Sequence, residues 1–190
     1  PEELLEIWGV DEKVFDPADL KLIQTPIDFV GINYYSRSVV RDAPLSPPFR
    51  SDRVRQTQSK HTDMDWEIYP EGLYRCLTWV TERYGDIPLF ITENGAAFDD
   101  GPGSDGKIND QRRIEYFRSH LLAAHKAMTA GVPLKGYFAW SLLDNFEWAF
   151  GYAKRFGLIH VDFATQERTL KESARFYRDV IATKGEALVS

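Results

Sequence analysis

Three apolar runs, each followed by a long loop and then an amphipathic helix, restrict this chain to a small set of folds. The runs cover residues 27–35, 89–93 and 134–142. Each is apolar or aromatic nearly throughout, as expected of a strand covered on both faces. The helix after the first of these loops starts at Pro70-Glu71, turns Leu73, Leu77, Val80 and Tyr84 to one side, and stops at Gly85 with Pro88 beyond. A second helix begins after Asn109-Asp110, faces Ile114, Phe117, Leu121, Ala124 and Met128 inward, and ends at Gly131 and Pro133. A third is expected from about Thr169 to Gly185, with Leu170, Ala174, Tyr177 and Ile181 inward. A shorter helix, capped by Asp16 with Pro17 in its first turn, precedes the first strand. Strands alternating with helices imply an α/β fold with a parallel sheet and right-handed crossovers.

The loops are unequal in a systematic way. Helix-to-strand links span only residues 85–87 and 131–133, whereas strand-to-helix loops span 36–69, 94–110 and 143–168. Long loops in a compact domain are usually functional or disordered. All of them leave the strand C-termini, where TIM barrels and open α/β sheets carry their sites. The stretch 43–60, with Pro44, Pro47, Pro48 and several arginines, is expected to wall the entrance.

Composition removes several function classes. A balance of 23 basic against 29 acidic residues, net −6, disfavours nucleic acid or an anionic membrane surface as partner. No apolar run approaches the roughly 18 residues of a spanning helix. The opening Pro-Glu-Glu-Leu-Leu shows no basic-then-apolar order, so no signal peptide is expected. A lone cysteine, Cys76, has no internal disulfide partner, which makes the cytoplasm the default compartment and a buried or half-buried thiol its expected state. His61, His120, His125 and His160 show no ligand spacing repeated with carboxylates, so no metal and no cofactor is expected. His120 and His125 are expected to be structural or exposed.

Polar and aromatic groups collect where the three strands end: Gly31-Ile32-Asn33-Tyr34-Tyr35, Phe90-Ile91-Thr92-Glu93-Asn94-Gly95, and Trp140-Ser141 running on to Asp144-Asn145-Phe146-Glu147-Trp148. Glu93 closes an otherwise apolar strand, where a carboxylate can be held rigidly and partly desolvated; on its own it could equally satisfy donors in the turn at Asn94-Gly95. Tyr35 is either a core-edge tyrosine or a phenol donating to a neighbouring carboxylate and keeping it anionic. Trp140 is a packing residue or a flat platform for the C–H face of a sugar ring. Two aromatics flanking Glu147 within a loop point as readily to binding as to packing.

Taken together, Gly31-Ile32-Asn33-Tyr34-Tyr35-Ser36, Ile91-Thr92-Glu93-Asn94-Gly95 and the run from Trp140 to Trp148 closely resemble glycoside hydrolase family 1, as do Gly151-Tyr152 and Lys154-Arg155-Phe156-Gly157. The similarity continues through Arg112, Tyr116, His120, Leu121, Lys171 and Ser173. The resemblance implies a (β/α)8 TIM barrel of which residues 1–190 form the C-terminal part, supplying the last three βα units. It implies a retaining β-glycosidase, most simply a β-glucosidase, with Glu93 as nucleophile and Tyr35 as the tyrosine that hydrogen-bonds it. Trp140 then matches the sugar platform, Glu147 and Trp148 the binders of outer hydroxyls, Phe156 an apolar wall, and Asn33 a polar neighbour of the nucleophile. A carboxylate at Glu147 would repel a sugar phosphate, so unphosphorylated glucosides, galactosides or fucosides are the implied substrates, despite Lys154-Arg155.

Retaining hydrolysis needs a second carboxyl group about 5–5.5 Å from the first. The family carries it in an Asn-Glu-Pro motif, which does not occur in these 190 residues. A TIM barrel takes about 250 residues or more, and three strands leave open edges. The chain alone is therefore expected to be neither stable nor active, and to need the N-terminal part of the barrel, in the same or a companion chain. The alternative is a non-catalytic, incomplete remnant with a sugar-binding or structural role. Another TIM-barrel chemistry would need a Schiff-base lysine or metal ligands at the strand ends, and the sequence offers neither.

Overall fold

The computed structural model describes residues 2–11 and 16–189. In chain order its elements are α1 (Glu2–Trp8), α2 (Pro17–Ile23), β1 (Val30–Asn33), β2 (Val40–Asp42), β3 (Ser51–Arg53), α3 (Pro70–Tyr84), β4 (Leu89–Asn94), α4 (Gln111–Thr129), β5 (Leu134–Ala139), β6 (Ile159–Val161), β7 (Arg168–Leu170) and α5 (Glu172–Ala182). The chain divides into two compact units, Pro1–Asp28 with Ser38–Arg55, and Phe29–Arg37 with Gln56–Ser190.

The larger unit is α/β, as the alternation implied. Its sheet runs β1-β4-β5, all parallel, with Val30 beside Leu89 and Leu89 beside Leu134. Helices α3 and α4 cover one face. Leu73 and Leu77 of α3 and Ala124 and Ala127 of α4 pack on Leu89, Ile91 and Leu134 in the main core. A second core joins Phe98, Tyr116, Phe117 and Leu158, with Tyr137 and Tyr177 against it. The links 85–88 and 130–133 are short, and all long loops leave the C-terminal ends of the strands.

Phe29 and Phe138 lie exposed on the side away from α3 and α4, the open face expected of a sheet of only three strands. Several expectations need correction. Tyr84 and Met128 are exposed rather than inward. Tyr84 lies at the last turn of α3 and packs edge-on against Trp79 instead. The buried face of α4 runs through Arg113, Tyr116, Phe117, His120, Ala123, Ala124 and Ala127, and Met128 lies off it. Thr169 and Leu170 are not helical; they form β7, antiparallel to β6. Asp162 nucleates that hairpin by accepting from the N–H groups of Ala164 and Thr165, at 2.9 and 3.0 Å. Helix α5 therefore begins at Glu172, with Ser173 and Val180 buried and Leu170 and Ile181 exposed.

In the smaller unit, Asp16 caps α2 by accepting from Ala18 N at 2.8 Å, with Pro17 in the first turn. Residues 51–53, read from sequence as loop, pair with 40–42 in an antiparallel ladder. Among the described residues no helix is long and apolar enough to cross a membrane.

His120 is structural and fully buried, stacked on Tyr116 at 3.9 Å, with Nδ1 against the Tyr116 carbonyl at 2.8 Å. Its Nε2 is buried without a protein partner. Burial pushes its pKa down to about 4, which fixes the ring neutral at pH 7. The unfolded chain binds this proton more readily, so stability falls as pH drops below about 6.5 and levels off below about 4, a total of about 3 kcal/mol. Urea unfolding from pH 7 to 4 is expected to show this loss, and His120→Gln to remove it; an identical pH slope in both proteins would refute the assignment.

Candidate active site

Backbone register brings the candidate residues together. A bulge after Ile32 sets Asn33 beside Glu93, and the Tyr34 N–H donates to the Glu93 carbonyl at 2.9 Å. Tyr35 then reaches across the strand ends, and its phenol donates to Glu93 Oε2 at 2.6 Å. Asn33 Oδ1 instead accepts from Thr92 Oγ1 at 2.6 Å, on an exposed part of the sheet. Trp140 follows β5, its N–H donating to the Asn94 carbonyl at 2.9 Å. A Cβ on Gly95 would sit 1.8 Å from the Trp140 carbonyl oxygen, so only glycine lets the ends of β4 and β5 close this tightly.

The loop after β5 carries Glu147 and Trp148 into a single 3-10 turn, Trp148–Phe150, closed by the Glu147 N–H donating to the Gly151 carbonyl at 2.7 Å. Its base is pinned by Asp144, which accepts from the Gly157 N–H at 2.9 Å, from Arg155 at 2.7 Å and from Lys171 Nζ at 3.1 Å. Lys171 also pairs with Asp100 at 2.9 Å, and Arg113 with Asp110 at 2.7 Å and with Asp100. This buried ionic cluster lies under the loops that follow β4 and β5.

Tyr35, Glu93, Trp140, Glu147, Trp148 and Phe156 line one cleft of about 430 Å³, together with Met64, Trp66, Ala149 and Phe150. Asn33 is the one named residue outside its lining. Trp148 is 84% exposed, whereas Phe156 is buried behind Tyr35 and Trp66, with ring centroids 6.2 Å from each. Trp66 went unrecognised in the sequence; its signal was a tryptophan isolated in the polar stretch Asp63-Met64-Asp65-Trp66-Glu67. Cys76 is half-buried, and burial raises its thiol pKa, against a reactive role.

Burial, helped by the charge of Glu93, pushes the Glu147 carboxyl above the usual carboxylate range, while a hydrogen bond from Trp140 opposes this. The Tyr35 phenol is driven far up, first by burial and then by its bond to Glu93, and stays a proton donor. Two carboxylates among flat aromatic faces suit a neutral polyhydroxylated ligand: hydroxyls donate to the carboxylates and C–H faces stack on the rings. The same pair disfavours an anionic group.

The family model described as glycosyl hydrolase family 1 matches residues 4–186. β-Glucosidase A of Thermotoga maritima is 51% identical over 167 residues, covering 88% of this chain and 37% of that protein. β-Glucosidase A of Acetivibrio thermocellus is 47% identical, covering 97% of this chain and 42% of its own length. A bifunctional β-D-glucosidase/β-D-fucosidase of Bifidobacterium breve is 45% identical over 96% of this chain. Among solved structures, a family 1 β-glucosidase from Thermotoga maritima superposes with a TM-score of 0.91 at 48% identity, over 97% of this chain and 41% of that one. Another structure, of the β-glucosidase from Thermotoga maritima with deoxynojirimycin, gives a TM-score of 0.90 at 47% identity. The chain thus spans about two-fifths of the length of the relatives it matches.

Proposed function

The chain belongs to glycosyl hydrolase family 1 and supplies an α/β part of that family's TIM barrel, and from that premise we propose that it is the nucleophile-bearing part of a retaining β-glycosidase for terminal unphosphorylated β-D-glucosides. In this reading residues 1–190 are the C-terminal part of a single catalytic domain. The supporting observation is the 2.6 Å hydrogen bond from Tyr35 to Glu93 inside an aromatic cleft. A Glu93 carboxylate oxygen attacks the anomeric carbon and the C–O bond to the leaving group breaks, leaving a glycosyl ester. A second carboxyl group, absent from these residues, protonates the departing oxygen and then deprotonates the water that cleaves the ester. Tyr35 holds the Glu93 carboxylate in place through its hydrogen bond. Trp140 stacks on the sugar, Glu147 and Trp148 take its outer hydroxyls, Phe156 backs the aromatic wall, and Asn33 lies beside the nucleophile.

The acid/base group then belongs to the three-fifths of its relatives' length that the chain does not span, and without that part the chain is inactive. The cytoplasm is the proposed compartment, on the strength of the single cysteine. A 2-deoxy-2-fluoroglucoside with a good leaving group needs no proton at the leaving atom. In protein containing the whole barrel it is expected to label Glu93, identified by peptide mass. No labelling, or a label elsewhere, would overturn the proposal.

A further inference from the structure

Behind the Glu93–Tyr35 pair lies a closed hydrogen-bond hub, and we propose that Asn94, acting with Tyr116 and Tyr137, is a positioning group that sets the geometry of that pair. The inference rests on Glu93 being the nucleophile. Asn94 follows Glu93 on β4 and is fully buried. Its Nδ2 donates to the Tyr34 carbonyl at 2.7 Å and to the Tyr116 hydroxyl at 3.0 Å, and its Oδ1 accepts from the Tyr137 hydroxyl at 2.5 Å. The Tyr34 carbonyl can only accept, which fixes the end of the amide that faces β1. Tyr116 Oη also donates to the Tyr35 carbonyl at 3.3 Å.

The hub therefore holds the carbonyls of both Tyr34 and Tyr35, with donors from β4 and α4, and Tyr137 of β5 orients the amide. A tyrosine has two side-chain torsions, so its hydroxyl goes where its backbone and packing send it. Trp66 and Phe156 pack on the Tyr35 ring, and the hub restrains the backbone. Glu93 is held from the same strand. Loss of the Tyr116 hydroxyl would free the Tyr35 carbonyl and leave Asn94 with an unpaired buried donor. An aspartate at position 94 would aim an acceptor at the Tyr34 carbonyl, so the amide is required.

The test uses protein containing the whole barrel, as wild type, Tyr116→Phe, Tyr35→Phe and the double variant. The readout is the rate constant for labelling by 2-deoxy-2-fluoro-β-glucosyl fluoride, with kcat and KM for an aryl β-glucoside alongside. Misaimed reactive groups cost on the order of ten- to a hundred-fold, so Tyr116→Phe is expected to slow labelling and kcat on that scale with KM changed less than about three-fold. If the hydroxyl acts through Tyr35, adding Tyr116→Phe to Tyr35→Phe costs less than about two-fold more. Should Tyr116→Phe not fold, Tyr137→Phe carries the same expectation for the rates. Unchanged labelling with only a lower melting temperature, or fully multiplicative effects in the double variant, would overturn the proposal. Wild-type protein that does not label on Glu93 would instead overturn the nucleophile assignment, and this proposal with it.

Discussion

In protein containing the whole barrel, Glu93→Ala is expected to reduce hydrolysis of an aryl β-glucoside by about 10⁵-fold or more, the scale on which loss of a covalent nucleophile is felt. The cleft would keep Trp140, Glu147 and Tyr35, so KM should move far less than kcat. Removing the side chain also opens space beneath the anomeric carbon, on the face from which the proposed nucleophile would attack. Added azide can enter there and is expected to restore turnover of a substrate with a good leaving group, giving the α-glycosyl azide. Product anomer, read by proton NMR, is the decisive measurement. Turnover retained without azide, or a β product with it, would rule out Glu93 as nucleophile.

Asp144→Ala is expected to cost about 3–5 kcal/mol of stability, because it strips a fully buried carboxylate from a fully buried lysine. Lys171 would keep only Asp100 as a carboxylate partner, and Arg155 would lose its carboxylate and keep the Val161 carbonyl. Burial already lowers the Lys171 pKa, so the ammonium depends on both carboxylates to remain charged. The Gly157 N–H would also lose its acceptor, and a residue larger than glycine cannot fill that gap, since a Cβ there would lie 2.2 Å from Asp144 N. The loop presenting Glu147 and Trp148 hangs from this anchor, so affinity for sugar should fall together with stability. In protein containing the whole barrel, denaturant midpoints of wild type and variant check the first effect and titration with a glucose-like inhibitor the second. A change below about 1 kcal/mol would show the cluster to be solvated and weak, as surface ion pairs are.

The parts of the fold legible in the sequence were those written locally. Pro70, Gly85, Pro88, Gly131 and Pro133 act through their own backbone torsions, so helix ends and short links could be placed from them. The Asp16 cap acts over two residues and was equally visible. Inward faces were legible only in part. Which residue of a helix is covered depends on what lies opposite, and at the end of α4 Ala127 is buried while Met128 is exposed. The β6–β7 hairpin was missed because Thr169 and Leu170 suit a helix until Asp162 turns the chain back on β6.

At the candidate site, the sequence alone determined which carboxylates and aromatics stand at the ends of parallel strands, because an apolar run terminated by a polar residue says where the core meets water. It could not bring Tyr35 to Glu93, 58 residues apart, nor add Trp66 to the cleft, nor join Asp100, Arg113, Asp144 and Lys171 in one cluster. Those relations needed strand register, a bulge after Ile32 and loops folded back on one another. Side-chain chemistry is carried by the residue itself, whereas a distance between two side chains is set by everything packed between them.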